Sequence, residues 1–199
     1  MNEKAIRNIA YGLYVVFAKG EKDNGCITNT PIQVTNTPSR IALTLNKSNY
    51  TTKLIQNTGL FTLSILSEDA PFSVFQNFGF QSGETVDKFA DFADVTRGEN
   101  GIYHLTKYAN GYLSGSVEQT IDLDTHLMFI AHLTDADVLS SLPTMTYGFY
   151  QSKVKPKATP TIEHGWKCNI CGYIYEGENL PADFVCPICK HGAGDFTKF

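Results

Sequence analysis

Four of the five cysteines stand in two hooks near the end of the chain, Cys168-Asn169-Ile170-Cys171 and Cys186-Pro187-Ile188-Cys189. Two residues between cysteines let a tight turn aim both sulfurs at one point, and two such turns facing each other make a tetrahedral cage of thiolates. Soft, tetrahedral, all-sulfur coordination selects zinc or iron. Paired zinc hooks usually stand ~15–20 residues apart, and the gap here, residues 172–185, is just shorter. The spacing therefore predicts a metal without naming it. It also dictates the fold of its own segment. The stretch from Gly165 to Phe199, roughly 35 residues, buries too little apolar surface to hold together without a staple. Trp166, Tyr173, Phe184 and Phe196 can then form a small aromatic core over the ion.

With four cysteines committed, Cys26 has no partner for a disulfide, and the pattern fits a reducing cytoplasm. Cys26 itself reads as a small buried hydrophobe in a strand-like run. Residues 1–150 are enough for one sizeable domain. A basic, Pro-containing linker over 151–164 joins it to the metal module at 165–199. The net charge of −4 argues against a nucleic-acid surface. No apolar run approaches ~18 residues, so no membrane-spanning helix is expected. The start, Met1-Asn2-Glu3-Lys4, lacks the apolar stretch of a signal peptide.

Within residues 1–150, β-branched and aromatic runs predict strands over 11–19, 26–30, 40–46, 60–66, 112–124 and 127–136. Asn24-Gly25 reads as a hairpin turn. Helices are expected from Ser48 or Asn49 to about Asn57 with Gly59 as the stop, from Pro71 to Phe78, and briefly over 85–92. Many strands, few helices and no strand–helix–strand alternation predict a mainly β fold, an antiparallel barrel carrying peripheral helices.

If the cage holds redox-active iron rather than zinc, the larger domain should hold an electron source. No Gly-x-Gly-x-x-Gly opens a strand-to-helix turn, which argues against a Rossmann site. Thr28-Asn29-Thr30 and Gln33-Val34-Thr35 sit where a barrel edge would present polar groups suited to an isoalloxazine ring. Asn46-Lys47-Ser48-Asn49, followed by Thr51 and Thr52, lies between a strand end and a helix start, where an anion is favoured. Together these suggest FMN with its phosphate over residues 47–52. A plain polar edge strand and an ordinary helix cap would look the same, and patterning alone favours that plainer reading, because Ser caps are common.

Resemblance to known families adds to this. Cys171-Gly172-Tyr173-Ile174-Tyr175, with Leu180-Pro181-Ala182-Asp183-Phe184-Val185-Cys186-Pro187-Ile188-Cys189, resembles rubredoxin. That implies one iron held by Cys168, Cys171, Cys186 and Cys189, with a structural zinc ribbon as the alternative. Gly172 permits the positive φ that turns backbone amides toward the sulfurs, and Lys190 stands where rubredoxins usually carry Gly.

Residues 25–66 look like the flavin reductase-like split-barrel family, in the branch that works with rubredoxins. Gly25-Cys26-Ile27-Thr28-Asn29-Thr30 with Gln33-Val34-Thr35, and Asn46-Lys47-x-Asn49-x-Thr51, are similar to its flavin-edge and phosphate segments. Phe78-Gly79-Phe80-Gln81-Ser82-Gly83-x-x-Val86-Asp87-Lys88-Phe89, His126-Leu127-Met128-Phe129 and Met145-Thr146-Tyr147 match further signatures, although Asp124-Thr125 precedes His126 where most members carry Gly-Asp. The resemblance implies an antiparallel split β-barrel that binds FMN through the polar segments above together with Ser82 and Lys88, with His126 on the flavin or nicotinamide side. It further implies a homodimer that takes a hydride from NAD(P)H. Electrons would then pass to the chain's own rubredoxin iron and on to an acceptor such as a flavodiiron oxygen or nitric oxide reductase. A barrel that releases reduced FMN to other proteins is the alternative.

Overall fold

The computed structural model describes residues 1–156 and 164–199. Nine strands build the larger unit: β1 (Tyr14–Ala18), β2 (Asn24–Thr28), β3 (Ile32–Asn36), β4 (Ser39–Asn46), β5 (Leu60–Leu66), β6 (Val95–Arg97), β7 (Tyr103–Leu105), β8 (Ala109–Leu123) and β9 (His126–Val138). Seven of them form one antiparallel sheet in the order β2-β1-β5-β8-β9-β4-β3, and β6 pairs with β7 alone. β8 and β9 are long enough to serve both halves of the sheet. Two register shifts, at Ser114/Gly115 and Val117/Gln119, bend them between the halves.

The middle of the sheet is buried on both faces, and alternation shows why. Val15 and Phe17 of β1 point into one cluster with Val74, Phe75 and Phe78. Val16 and Ala18 point into the other with Leu43, Phe61, Leu63 and Phe129. Successive side chains of a strand face opposite ways, so a strand apolar at every position must be covered twice. Helix α1 (Tyr50–Thr58) closes the second cluster with Leu54 and Ile55, and α2 (Phe72–Gly79) closes the first. Fully buried rings such as Phe17, Phe61 and Phe129 each contribute about 1.5–3 kcal/mol. The chain leaves the sheet through α3 (Tyr147–Phe149), which runs into a single π turn over Tyr150–Val154. That turn occupies the first residues of the stretch expected to be linker. Residues 157–163 of that stretch lie outside the described residues. In the metal module, β10 (Trp166–Cys168) lies between β11 (Ile174–Tyr175) and β12 (Phe196–Lys198).

Two local expectations are corrected. Asn24-Gly25 is not the hairpin turn. Asn24 begins β2, is buried, and donates from Nδ2 to Thr51 Oγ1 at 2.9 Å, so the turn moves to Gly20–Asp23, closed by the Gly20 amide on Asp23 Oδ1 at 3.2 Å. Residues 85–92 form turns rather than a helix. Lys88 is drawn inward to the carbonyls of Gly25 and Phe78, and Phe89 packs between Phe17, Phe78 and Tyr103. Tertiary contacts there outweigh helical propensity. The short hairpin of β6 and β7 carries too few residues to show a period in the sequence.

Candidate metal centre and cofactor cavity

The four thiols meet. Their sulfurs all lie within 4.8 Å of one another, and Cys168–Cys189 and Cys171–Cys186 are each 3.6 Å apart. Tetrahedral bonds of about 2.3 Å would separate sulfurs by about 3.8 Å, so the cage is sized for one ion. The hooks repeat one another. Gly172 donates its amide to the Cys168 carbonyl and Lys190 to the Cys186 carbonyl, both at 2.9 Å. Gly172 (φ 82°) and Lys190 (φ 63°) are both left-handed. This turn sends the next amide back toward a sulfur, that of Tyr173 toward Cys171 and that of His191 toward Cys189. Lys190 thus adopts without glycine the conformation that Gly172 adopts freely, at a strain of about 1 kcal/mol. Burial pushes the Cys171 thiol up to about 11 and the Cys189 thiol up as well. A bound cation reverses that preference and deprotonates its ligands. The donor set therefore fits a metal and disfavours an empty cluster of thiolates.

On the barrel, a cavity of about 330 Å³ opens between the start of α1, the end of α2 and the π turn. Cys26, Ile27, Asn49 and Lys88 form one side, and Phe75, Phe80, Tyr147 and Tyr150 form much of the other. Tyr147 and Gln151 also line an adjoining cavity of about 580 Å³ that includes Tyr11 and Asn29. At the start of α1 the Asn49 side chain makes no capping bond, and the first turn holds no acidic residue. That helix end is open to an anion. Lys88 is 3% accessible and donates from Nζ to the carbonyls of Gly25 (2.9 Å) and Phe78 (3.3 Å). Burial lowers its pKa to about 8, with the neighbouring Cys26 opposing. Burial likewise pushes the Tyr150 phenol up to about 12, with Tyr147 and then Cys171 adding to the shift. Aromatic walls, one buried cation and an uncapped helix start suit a flat aromatic ligand with an anionic tail.

The residues expected at the site divide into three groups. Asn49 and Lys88 line the cavity, and Asn29 lines the adjoining one. A second group shapes its surroundings. The Thr28 and Thr30 hydroxyls pair at 3.1 Å, and Thr30 donates to the Thr44 carbonyl at 2.6 Å, tying β2 to β4. Asn46 Oδ1 accepts from the amide and hydroxyl of Ser48, both at 2.9 Å, and Thr52 donates to the Asn46 carbonyl at 2.7 Å. Thr51 receives Asn24, and Ser82 Oγ accepts the Glu84 amide. Lys47 pairs with Asp122 at 2.6 Å on the surface.

The third group lies away from the cavity. Gln33, Val34 and Thr35 are exposed on β3. Gln33 donates to Asn36 Oδ1 and Thr35 to the Pro38 carbonyl, each at 2.6 Å, which braces a hairpin. Gln33 instead lines a separate apolar groove with Tyr14, Ile32 and Leu113. His126 sits opposite Asn46 in the β4–β9 ladder, its Nδ1 2.8 Å from Thr125 Oγ1, and does not line the cavity. Phe75, Gln81, Tyr150 and Gln151 line it without having been singled out in the sequence. The Tyr147-Gly148-Phe149-Tyr150 close of the domain was the available signal. One lining residue, Ile170, comes from the first metal hook.

Known proteins show the same division of the chain. Residues 6–158 match the flavin reductase like domain, and residues 166–197 match the rubrerythrin, rubredoxin-like domain. The high molecular weight rubredoxin of Moorella thermoacetica is 36% identical over the full length of both chains. The ferric-chelate reductase (NAD(P)H) of Archaeoglobus fulgidus is 32% identical over 81% of this chain and 95% of its own. An NADH:FAD oxidoreductase of Streptomyces globisporus shares the fold, with a TM-score of 0.65 at 18% identity over 72% of this chain and 84% of that one.

Proposed function

The chain belongs to the flavin reductase-like family and carries a rubredoxin-like module behind its barrel, and from that premise we propose that it is an NAD(P)H-dependent oxidoreductase that moves electrons from FMN in the barrel cavity to one iron in the four-cysteine cage, and from there to an outside acceptor. The observation that carries this reading is Ile170, which belongs both to a metal hook and to the cavity wall. Two redox sites that share a wall are close enough to exchange electrons. Bound FMN supplies the chemistry that neither site has alone, accepting a hydride and giving up electrons singly.

The chain's own residues do the holding. The uncapped start of α1 at Asn49 receives the phosphate. Lys88 fixes the carbonyls of Gly25 and Phe78, sets the cavity wall and leaves it positive. Phe75, Phe80 and Tyr150 exclude water. Cys168, Cys171, Cys186 and Cys189 hold the iron, and amides turned to their sulfurs stabilise the negative cage. Two copies pair across the groove of Tyr14, Ile32 and Leu113, where Ile32 is 62% exposed. Such a patch is costly to leave in water. Among the described residues no helix is long and apolar enough to cross a membrane, and the reading places the protein in the cytoplasm with a flavodiiron oxygen or nitric oxide reductase as acceptor.

Anaerobic titration with NADH and with NADPH tests this directly. One nucleotide should bleach the flavin band and then the ferric band, with flavin and iron in equal amounts. A colourless protein that holds zinc and no flavin would sink the reading.

A further inference from the structure

The metal module does not stand clear of the barrel. Ile170 and Ile188 occupy equivalent places, each just before the second thiol of its hook. Ile170 lines the barrel cavity, and the Ile188 carbonyl accepts from Gln76 Nε2 on α2. Phe80, just past α2, packs against the barrel core and against the cage cluster. Tyr150 lines the same cavity as Ile170. Both hook tips therefore face the barrel. Within the module, Phe184 and Phe196 pack at 5.4 Å over the cage. Cys171 and Cys189, behind the tips, keep some exposure, whereas Cys168 and Cys186 have none. Electron transfer slows steeply with distance, so the tips are the side through which the ion exchanges electrons.

We propose that Gln76, Phe80 and Tyr150 form a seat for the chain's own metal module, so that the iron fills from the cavity of the same chain, and that the Ile170–Ile188 face occupying the seat is also the face that empties to an outside one-electron acceptor. Filling and emptying then alternate. This rests on the flavin-to-iron reading above. The balance is simple. One NAD(P)H leaves as NAD(P)+, its two electrons depart in two fillings that each convert ferric to ferrous iron, two acceptor molecules are each reduced once, and one proton goes to solvent. Gln76 acts as a positioning residue.

The Gln76→Glu substitution keeps the shape of the side chain and sets a carboxylate against the Ile188 carbonyl. In anaerobic single turnovers with NADH, flavin bleaching keeps its rate while the following iron bleaching slows about tenfold, the effect of losing one such hydrogen bond. Emptying of dithionite-reduced iron to ferric cytochrome c speeds up severalfold, because the face is freed. A merely structural role would slow both steps. Small-angle scattering of the full chain, which needs no flavin, shows a larger radius for Gln76→Glu and for Ile170→Asp. Filling that is unchanged in Gln76→Glu, filling that grows with protein concentration, or emptying that slows overturns the proposal. So does an unaltered scattering profile in both variants. A chain lacking the flavin or ferric band overturns the flavin-to-iron reading instead, and the scattering still decides whether the seat exists.

Discussion

Lys190 and Gly172 share one backbone conformation with different side chains, at φ 63° and 82°. A Cβ at position 172 would meet nothing within 4 Å, so only the backbone strain of a left-handed residue separates the two hooks. Lys190→Gly should therefore stabilise the metal module by about 1 kcal/mol, and Gly172→Ala should weaken it by a similar amount. The midpoint of metal loss in guanidinium reads both, and opposite shifts are expected. Lys88 carries a pH signature. Its folded pKa of about 8 lies below the ordinary 10.5 because its charge is buried. Between those values the unfolded chain binds more protons, so stability from this group is lowest below pH 8 and rises as pH climbs from 8 through 10.5. Lys88→Met removes that slope. It also strands the carbonyls of Gly25 and Phe78, at a cost of about 1–3 kcal/mol. Denaturation of wild type and variant on either side of pH 8 checks both the slope and the offset.

Helix α1 has two roles that a single substitution separates. Aspartate caps a helix as well as asparagine does, but it sets a negative charge where the phosphate is expected. Asn49→Asp should leave thermal stability unchanged or slightly raised, and should weaken FMN binding about tenfold or more, as read by flavin fluorescence. An unchanged affinity would move the phosphate elsewhere. Much of this element was legible in the sequence. Asn49 before an apolar-periodic run and Gly59 after it marked both ends, and the structure puts them at the cap and at a left-handed stop. Strands β1, β2, β4, β5, β8 and β9 and the four-thiol cage were legible for the same reason, since period and spacing are local signals, whereas the fully exposed β3 and the short β6–β7 hairpin were not. Asn24-Gly25 misled because a buried bond to Thr51 outweighed a turn preference. The cavity was only partly visible. Its walls come from β2, α1, α2, the 88 turn, the 147–155 close and a metal hook, and no local pattern announces that Tyr150 and Ile170 will line one cavity.

The two units of the molecule differ in what holds them. The barrel has two buried clusters of its own. The module's cluster consists of the four cysteines and Phe196, with a few half-buried rings. Removing the metal, by chelation or by Cys168→Ser, should unfold the module and spare the barrel. Flavin binding and nucleotide oxidation would survive while delivery to a protein acceptor is lost. Circular dichroism in the near ultraviolet, where Trp166 of the module is the only tryptophan, should register that unfolding. The contact through Gln76, Phe80 and Ile170 is small, and covalent attachment changes what it must achieve. A short tether holds a module near its site at an effective concentration on the order of millimolar. A contact too weak to be detected between separate proteins is then occupied most of the time and still released quickly. Cut apart and mixed at micromolar concentration, barrel and module should scarcely recognise each other, so affinity measured between the pieces would understate how they work as one chain.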